Sequence, residues 1–125
     1  MEYYIKEAAE KVGLPPHTIR YYEQEGLLPF IRRDKNGNRI FNETDLTWID
    51  SIVCFLKTGI ALSKLREIGE LAKQGEGTAT KRKEIFKEHK FELMEKRKDL
   101  DEALEKIEAK IEYYEDMESN LLSHN

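Results

Sequence analysis

Few side chains in this 125-residue chain could do covalent chemistry. Cys54 is the single cysteine, in the stretch WIDSIVCFLKTG, and the histidines are His17, His89 and His124. One cysteine closes no internal disulfide, and with scattered histidines it makes no standard zinc site. No nucleophile–base pair, phosphate loop or metal constellation can be read, so no enzyme and no cofactor is expected. The other reactive feature is a cluster of cations. Between His17 and Arg39 stand five basic residues (Arg20, Arg32, Arg33, Lys35, Arg39) against three acidic ones. The net charge of −4 does not argue against a cationic surface there. Residues 1–74 balance 11 Lys+Arg against 11 Asp+Glu, whereas residues 75–125 carry 10 against 14. The acidity belongs to the C-terminal part, which leaves the basic patch available to a polyanion.

Short elements must position those cations. Ile5, Ala8, Ala9 and Val12 recur at helical spacing and predict a first helix that breaks at Gly13-Leu14. Pro16 suits the first position of a second helix, which runs through HTIRYYEQE, buries Ile19 and Tyr22, and stops at Gly26. Two short helices joined by a glycine-containing turn make a helix-turn-helix, with Ala9 permitting close approach and Gly13 a left-handed turn. In LLPFIRRDKNGNRIF, Asn36-Gly37 predicts a type I′ hairpin with positive φ at both residues. In isolation this basic hairpin could equally be a solvated loop; after a helix-turn-helix it reads as a wing lying along phosphates. Asn42 is expected to cap the helix that holds Cys54, and Ser63 to cap a fourth with Leu62, Leu65, Ile68 and Leu71 inward.

The second half has another period. Residues 79–122 lack glycine and proline. Stepping by seven from Phe86 reaches Leu93, Leu100, Ile107, Tyr114 and Leu121, while Leu104 and Ile111 form the middle of a second seam. The heptads are clean from Leu100 to Tyr114 and fray on both sides, where Lys90, Arg97 and Glu118 interrupt the second seam. A helix of this length spans about 66 Å, more than a body of this size can cover, so a coiled-coil homodimer is expected, antiparallel or side by side. The expected organisation is mainly α: a winged helix-turn-helix domain over 1–74, a linker over 75–78 and a dimerisation helix over 79–122. With charged residues at 37%, no long apolar run and no signal-peptide pattern at the start, neither a membrane span nor secretion is expected. The expected compartment is a reducing cytoplasm.

The strings IKEAAEKVGLPPHTIRYYEQEGLLP, RDKNGNRIFNETDL and FLKTGIALSKLREI closely resemble the MerR family of transcriptional regulators, almost continuously over residues 1–74. The resemblance implies a dimer that binds palindromic promoter DNA with an overlong spacer and distorts it for RNA polymerase. It implies phosphate contacts from Arg20, Tyr21 and Arg39, with Lys57, Ser63 and Lys64 at a second wing. His17 and Thr18, at the exposed end of the second helix, would read base edges in the major groove. For Arg20 the alternative is a surface ion pair with Glu23 or a contact with Gln24.

A lone cysteine is ordinarily a small buried hydrophobe. On a helical wheel, however, Leu46, Ile49, Ile52, Val53, Leu56 and Ile60 form one arc, widened by Trp48 and Phe55. Cys54 projects from the other side, beside Thr47, Asp50, Ser51, Lys57 and Thr58, toward solvent or a dimer partner. Lys57 favours a thiolate and Asp50 opposes it, so the sign of any shift stays open. DLTWIDSIVCFLKTG also resembles the thiol-sensing MerR subgroup that includes NmlR and AdhR. That resemblance implies Cys54 as a sensor of aldehydes, electrophiles or nitrosative stress. The alternative is a regulator with an unknown small-molecule signal or none, in which Cys54 is structural.

Overall fold

A computed structural model describes residues 1–123. Its elements are α1 (Ile5–Val12), α2 (Pro16–Gln24), β1 (Arg32–Arg33), β2 (Arg39–Ile40), α3 (Glu43–Lys57), α4 (Leu62–Lys73), a single 3₁₀ turn (Glu76–Thr78) and α5 (Ala79–Ser123). Residues Met1–Lys87 form one compact unit, and a second begins at Glu88, inside α5. The first unit thus extends past the expected boundary at residue 74, and Thr78, expected in a linker, is buried.

α1 buries Ala8 and Ala9 and ends at Gly13, which takes φ 71° as the helix-turn-helix reading requires. Pro16 opens α2, and Ile19 and Tyr22 face the core. Burial raises the Tyr22 phenol above its ordinary pKa, with a further push from neighbouring Tyr21. α3 begins with a capping box: the Asp45 amide donates to Asn42 Oδ1 at 2.8 Å, and the Asn42 amide to Asp45 Oδ2 at 2.9 Å. It ends with Gly59 donating to the Leu56 carbonyl and Ile60 to the Phe55 carbonyl, which satisfies two terminal acceptors. Leu46, Ile49 and Ile52 point into the core with Leu27, Phe41 and Leu65. Truncating a fully buried Ile in such a core costs about 2–5 kcal/mol.

Two local expectations need correction, and one contact is new. Asn36 does not take positive φ; only Gly37 does, at 83°. The Gly37 amide donates to the Asp34 carbonyl at 3.0 Å and the Asp34 amide to the Asn38 carbonyl at 2.8 Å, a three-residue loop ending in a left-handed glycine. The Asp34 carboxylate selects it by accepting from the Asn36 and Asn38 amides, both at 2.9 Å. Ser63 does not cap α4: Ala61 occupies the N-cap, with no side-chain cap. Its extended backbone already presents a carbonyl to the Lys64 and Leu65 amides. Finally, the wing gains a partner from the chain start. Tyr3 and Phe41 exchange backbone hydrogen bonds at 2.8 Å each, extending the β1–β2 ribbon.

α4 carries Gly69 where no other residue fits. A Cβ built there would lie 2.1 Å from the Gly26 carbonyl oxygen, so α4 and the end of α2 meet backbone to backbone. α5 runs 45 residues, and beyond Met94 its described side chains are exposed. Among the described residues no helix is long and apolar enough to cross a membrane.

Candidate nucleic-acid interface

The first turn of α2 is presented to solvent. His17 is exposed and Thr18 half-buried, and Pro15 at the N-cap offers no side-chain acceptor to the helix amides. Arg20 and Tyr21 follow on the outer face, both exposed, whereas Tyr22 is core. No carboxylate lies within ion-pair distance of Arg20 among the described residues, so neither expected neighbour neutralises it by an ion pair. Arg20, Gly37, Asn38 and Arg39 border one open cleft of about 310 Å³ with Tyr4 and Ile5. α2 and the wing tip therefore share a surface.

Glu23 holds the two together. Its Oε1 accepts from Arg39 Nε at 2.6 Å and from Arg33 Nη2 at 3.2 Å. Arg33 Nη1 also donates to the Gly37 carbonyl at 2.9 Å. Side chains of Arg39 and Glu23 are only 19% and 20% exposed, so this pair is better shielded from solvent than the Arg32–Glu2 pair, at 53% and 54%. Arg39, expected as a phosphate contact, is thus first a strut between wing and α2. Backbone donation from Asn38, reinforced by Asn36 and against the opposing effect of burial, holds the Asp34 carboxyl below its ordinary pKa. The turn stays charged and bonded above the ordinary Asp range and loses these bonds as pH falls through the lowered value.

Lys57 lies exposed at the end of α3, and Ser63 and Lys64 are exposed in the first turn of α4. Lys64 also reaches Glu67 at 3.6 Å. One turn before Lys57, Cys54 is a free, exposed thiol, on the side of α3 the wheel indicates. Leu93 is half-buried, while Leu100, Leu104, Ile107, Ile111, Tyr114 and Leu121 are between 43% and 64% exposed, an apolar stripe left open. His17 and His89 lie on different helices, and His124 falls outside the described residues. Among the described residues no three His, Cys, Asp or Glu side chains converge to hold a metal.

Two features escaped the sequence reading. Glu23 lies one helical turn from Arg20, but its partners Arg33 and Arg39 are 10 and 16 residues away. Trp48 donates its indole N–H to the Leu27 carbonyl at 2.8 Å, tying α3 to the segment before the wing.

A helix-turn-helix followed by a two-stranded wing and a long helix defines a winged-helix regulator rather than an enzyme. The sequence model for the MerR HTH family regulatory protein matches residues 3–71. An HTH-type transcriptional regulator of Haemophilus influenzae is 33% identical over 115 residues, 92% of this chain and 85% of its own. AdhR, an HTH-type transcriptional regulator of Bacillus subtilis, is 36% identical over 91 residues, 73% of this chain and 65% of AdhR. The crystal structure of HiNmlR, a MerR family regulator lacking the sensor domain and bound to promoter DNA, is 32% identical. It matches with a TM-score of 0.82 over 95% of this chain and 94% of that one. The chain belongs to the MerR family of transcriptional regulators.

Proposed function

We propose that this regulator is a cytoplasmic homodimer that binds a palindromic promoter element with an overlong spacer and distorts it for RNA polymerase. The observation that carries the reading is the surface shared by α2 and the wing, with an unpaired Arg20 at its edge. That a 32% identical relative is seen bound to promoter DNA supports DNA as the ligand. His17 and Thr18 then read base edges, and Arg20, Tyr21 and Arg39 hold phosphates. Lys57, Ser63 and Lys64 form a second phosphate contact, where the uncapped start of α4 presents free amides to an anion.

Dimerisation covers the stripe of Leu93, Leu100, Leu104, Ile107, Ile111, Tyr114 and Leu121, of which all but the half-buried Leu93 are exposed in the single chain. Bending and untwisting a promoter costs a few kcal/mol, within reach of a signal that shifts the dimer between two geometries. Cys54 receives that signal: its sulfur attacks the carbonyl carbon of an aldehyde, the thiol proton passing to the carbonyl oxygen, or it is alkylated by another electrophile or oxidised by a nitrosative oxidant. Its exposure and its place one turn from Lys57 support the role, as does the resemblance of DLTWIDSIVCFLKTG to the thiol-sensing subgroup. Modification makes α3 repack against the partner's dimerisation helix and moves both reading heads; the induced genes would encode aldehyde dehydrogenases or reductases. A second reading, a bound small molecule with Cys54 structural, is favoured by an apolar cavity lined by Trp48, Ile68 and Phe86.

Transcription from the protein's own promoter, with and without formaldehyde or methylglyoxal, separates the two. Cys54→Ala is expected to lose the response while keeping DNA binding. A variant that responds as fully as wild type overturns the thiol mechanism.

A further inference from the structure

Behind the wing, within the first compact unit, lies a cavity of about 340 Å³, at the lower end of the range for small-ligand sites. Its walls are apolar: Phe30 and Ile31 from the segment entering β1, Trp48 on α3, Ile68 and Ala72 on α4, and Phe86 on α5. The indole is fixed by its bond to the Leu27 carbonyl. One cation reaches the lining, Arg82, half-buried. Its Nε donates to Thr78 Oγ1 at 3.1 Å and its Nη2 to the Gly75 carbonyl at 3.3 Å. Both partners are neutral, and no carboxylate lies within ion-pair distance of Arg82 among the described residues. Asp45 also borders the cavity, but its Oδ2 already accepts the Asn42 amide.

We propose that this cavity is an effector site for a small carboxylate with an aromatic or branched apolar body. The body fills the space between Trp48, Ile68 and Phe86. The carboxylate supplies the anion that Arg82 lacks, and a guanidinium held at the border of an apolar chamber binds it in a defined orientation. Because Phe30 and Ile31 run directly into Arg32 and Arg33 of the wing, occupancy loads the segment that sets the wing's position. The inference rests on the proposed function only in treating the chain as a regulator whose wing matters; binding is measured without DNA and involves no chemistry at Cys54.

The probe is 3-phenylpropionate, titrated against the full chain while following emission from Trp48, the only tryptophan. Its uncharged amide, 3-phenylpropionamide, serves as control. A saturable change is expected, tighter for the carboxylate than for the amide. Arg82→Gln weakens the carboxylate at least about tenfold and leaves the amide unchanged, and Arg82→Lys recovers part of the loss. Ala72→Phe, checked for folding by circular dichroism, fills the chamber and abolishes both. No saturable change, equal affinity for the two probes, or an Arg82→Gln variant that binds like wild type overturns the proposal. So does an Ala72→Phe variant that dissociates the protein in sedimentation while the probe never bound, since the cavity would then belong to a second copy of the chain. Loss of this site would leave the salt dependence of DNA binding untouched, so the two readings fail separately.

Discussion

Glu23 shows how one side chain can organise a surface it does not itself present. By accepting from both Arg39 and Arg33 it fixes the wing's angle to α2 and leaves Arg20 unneutralised. Glu23→Gln keeps the shape and removes the charge that gathers two arginines. The fold is expected to lose only on the order of 1 kcal/mol, because the pair remains partly screened by solvent. Specific DNA affinity is expected to fall more than random-DNA affinity, since the wing's cations stay while their placement is lost. Thermal melts together with binding to specific and random duplexes check this; equal loss on both duplexes would show that Glu23 does not set register.

At the scale of elements, what is local was legible. The stripe of α1, Pro16 at the start of α2, the Asn42 cap and the inward arc of α3 each depend on neighbours within a turn. The exposure of Cys54 followed from the same periodicity. What was missed is long-range or depends on competition. The Tyr3–Phe41 bridge joins residues that no period connects. Asn36-Gly37 marked the right place for the turn, but the Asp34 carboxylate won the amides and set another turn type. Ser63 is the right residue type for a cap but stands two residues past it, because the preceding Gly59–Ile60 closure sets where α4 begins. Gly69 was likewise silent, a helical glycine whose reason is the Gly26 carbonyl of another segment. In an exposed helix Gly→Ala gains about 1 kcal/mol. Here Gly69→Ala is expected to lose about 1–3 kcal/mol, because backbone must move to admit the methyl group. Denaturant melts decide between the two signs.

For the whole molecule, the proposed function gives assembly to the open stripe of α5 and recognition to the α2–wing surface. Ile107→Lys with Ile111→Lys is expected to convert a dimer to monomers in sedimentation equilibrium without unfolding residues 1–87. Placing like charges on a seam removes its apolar burial and adds repulsion. If the doubly substituted chain stays dimeric, the stripe is not the interface. Such a monomer should keep weak, salt-sensitive binding to random DNA and lose its preference for a palindrome, since two half-sites read together give the preference.

The central claim, that the α2–wing surface grips the phosphate backbone, is tested most directly by the salt dependence of DNA binding. Each phosphate neutralised by a cation steepens the fall of log K with log salt by roughly one unit. Arg20→Ala is expected to flatten that slope by about one unit per protomer and to weaken specific and random duplexes alike. A variant with unchanged slope on both duplexes would contradict the account.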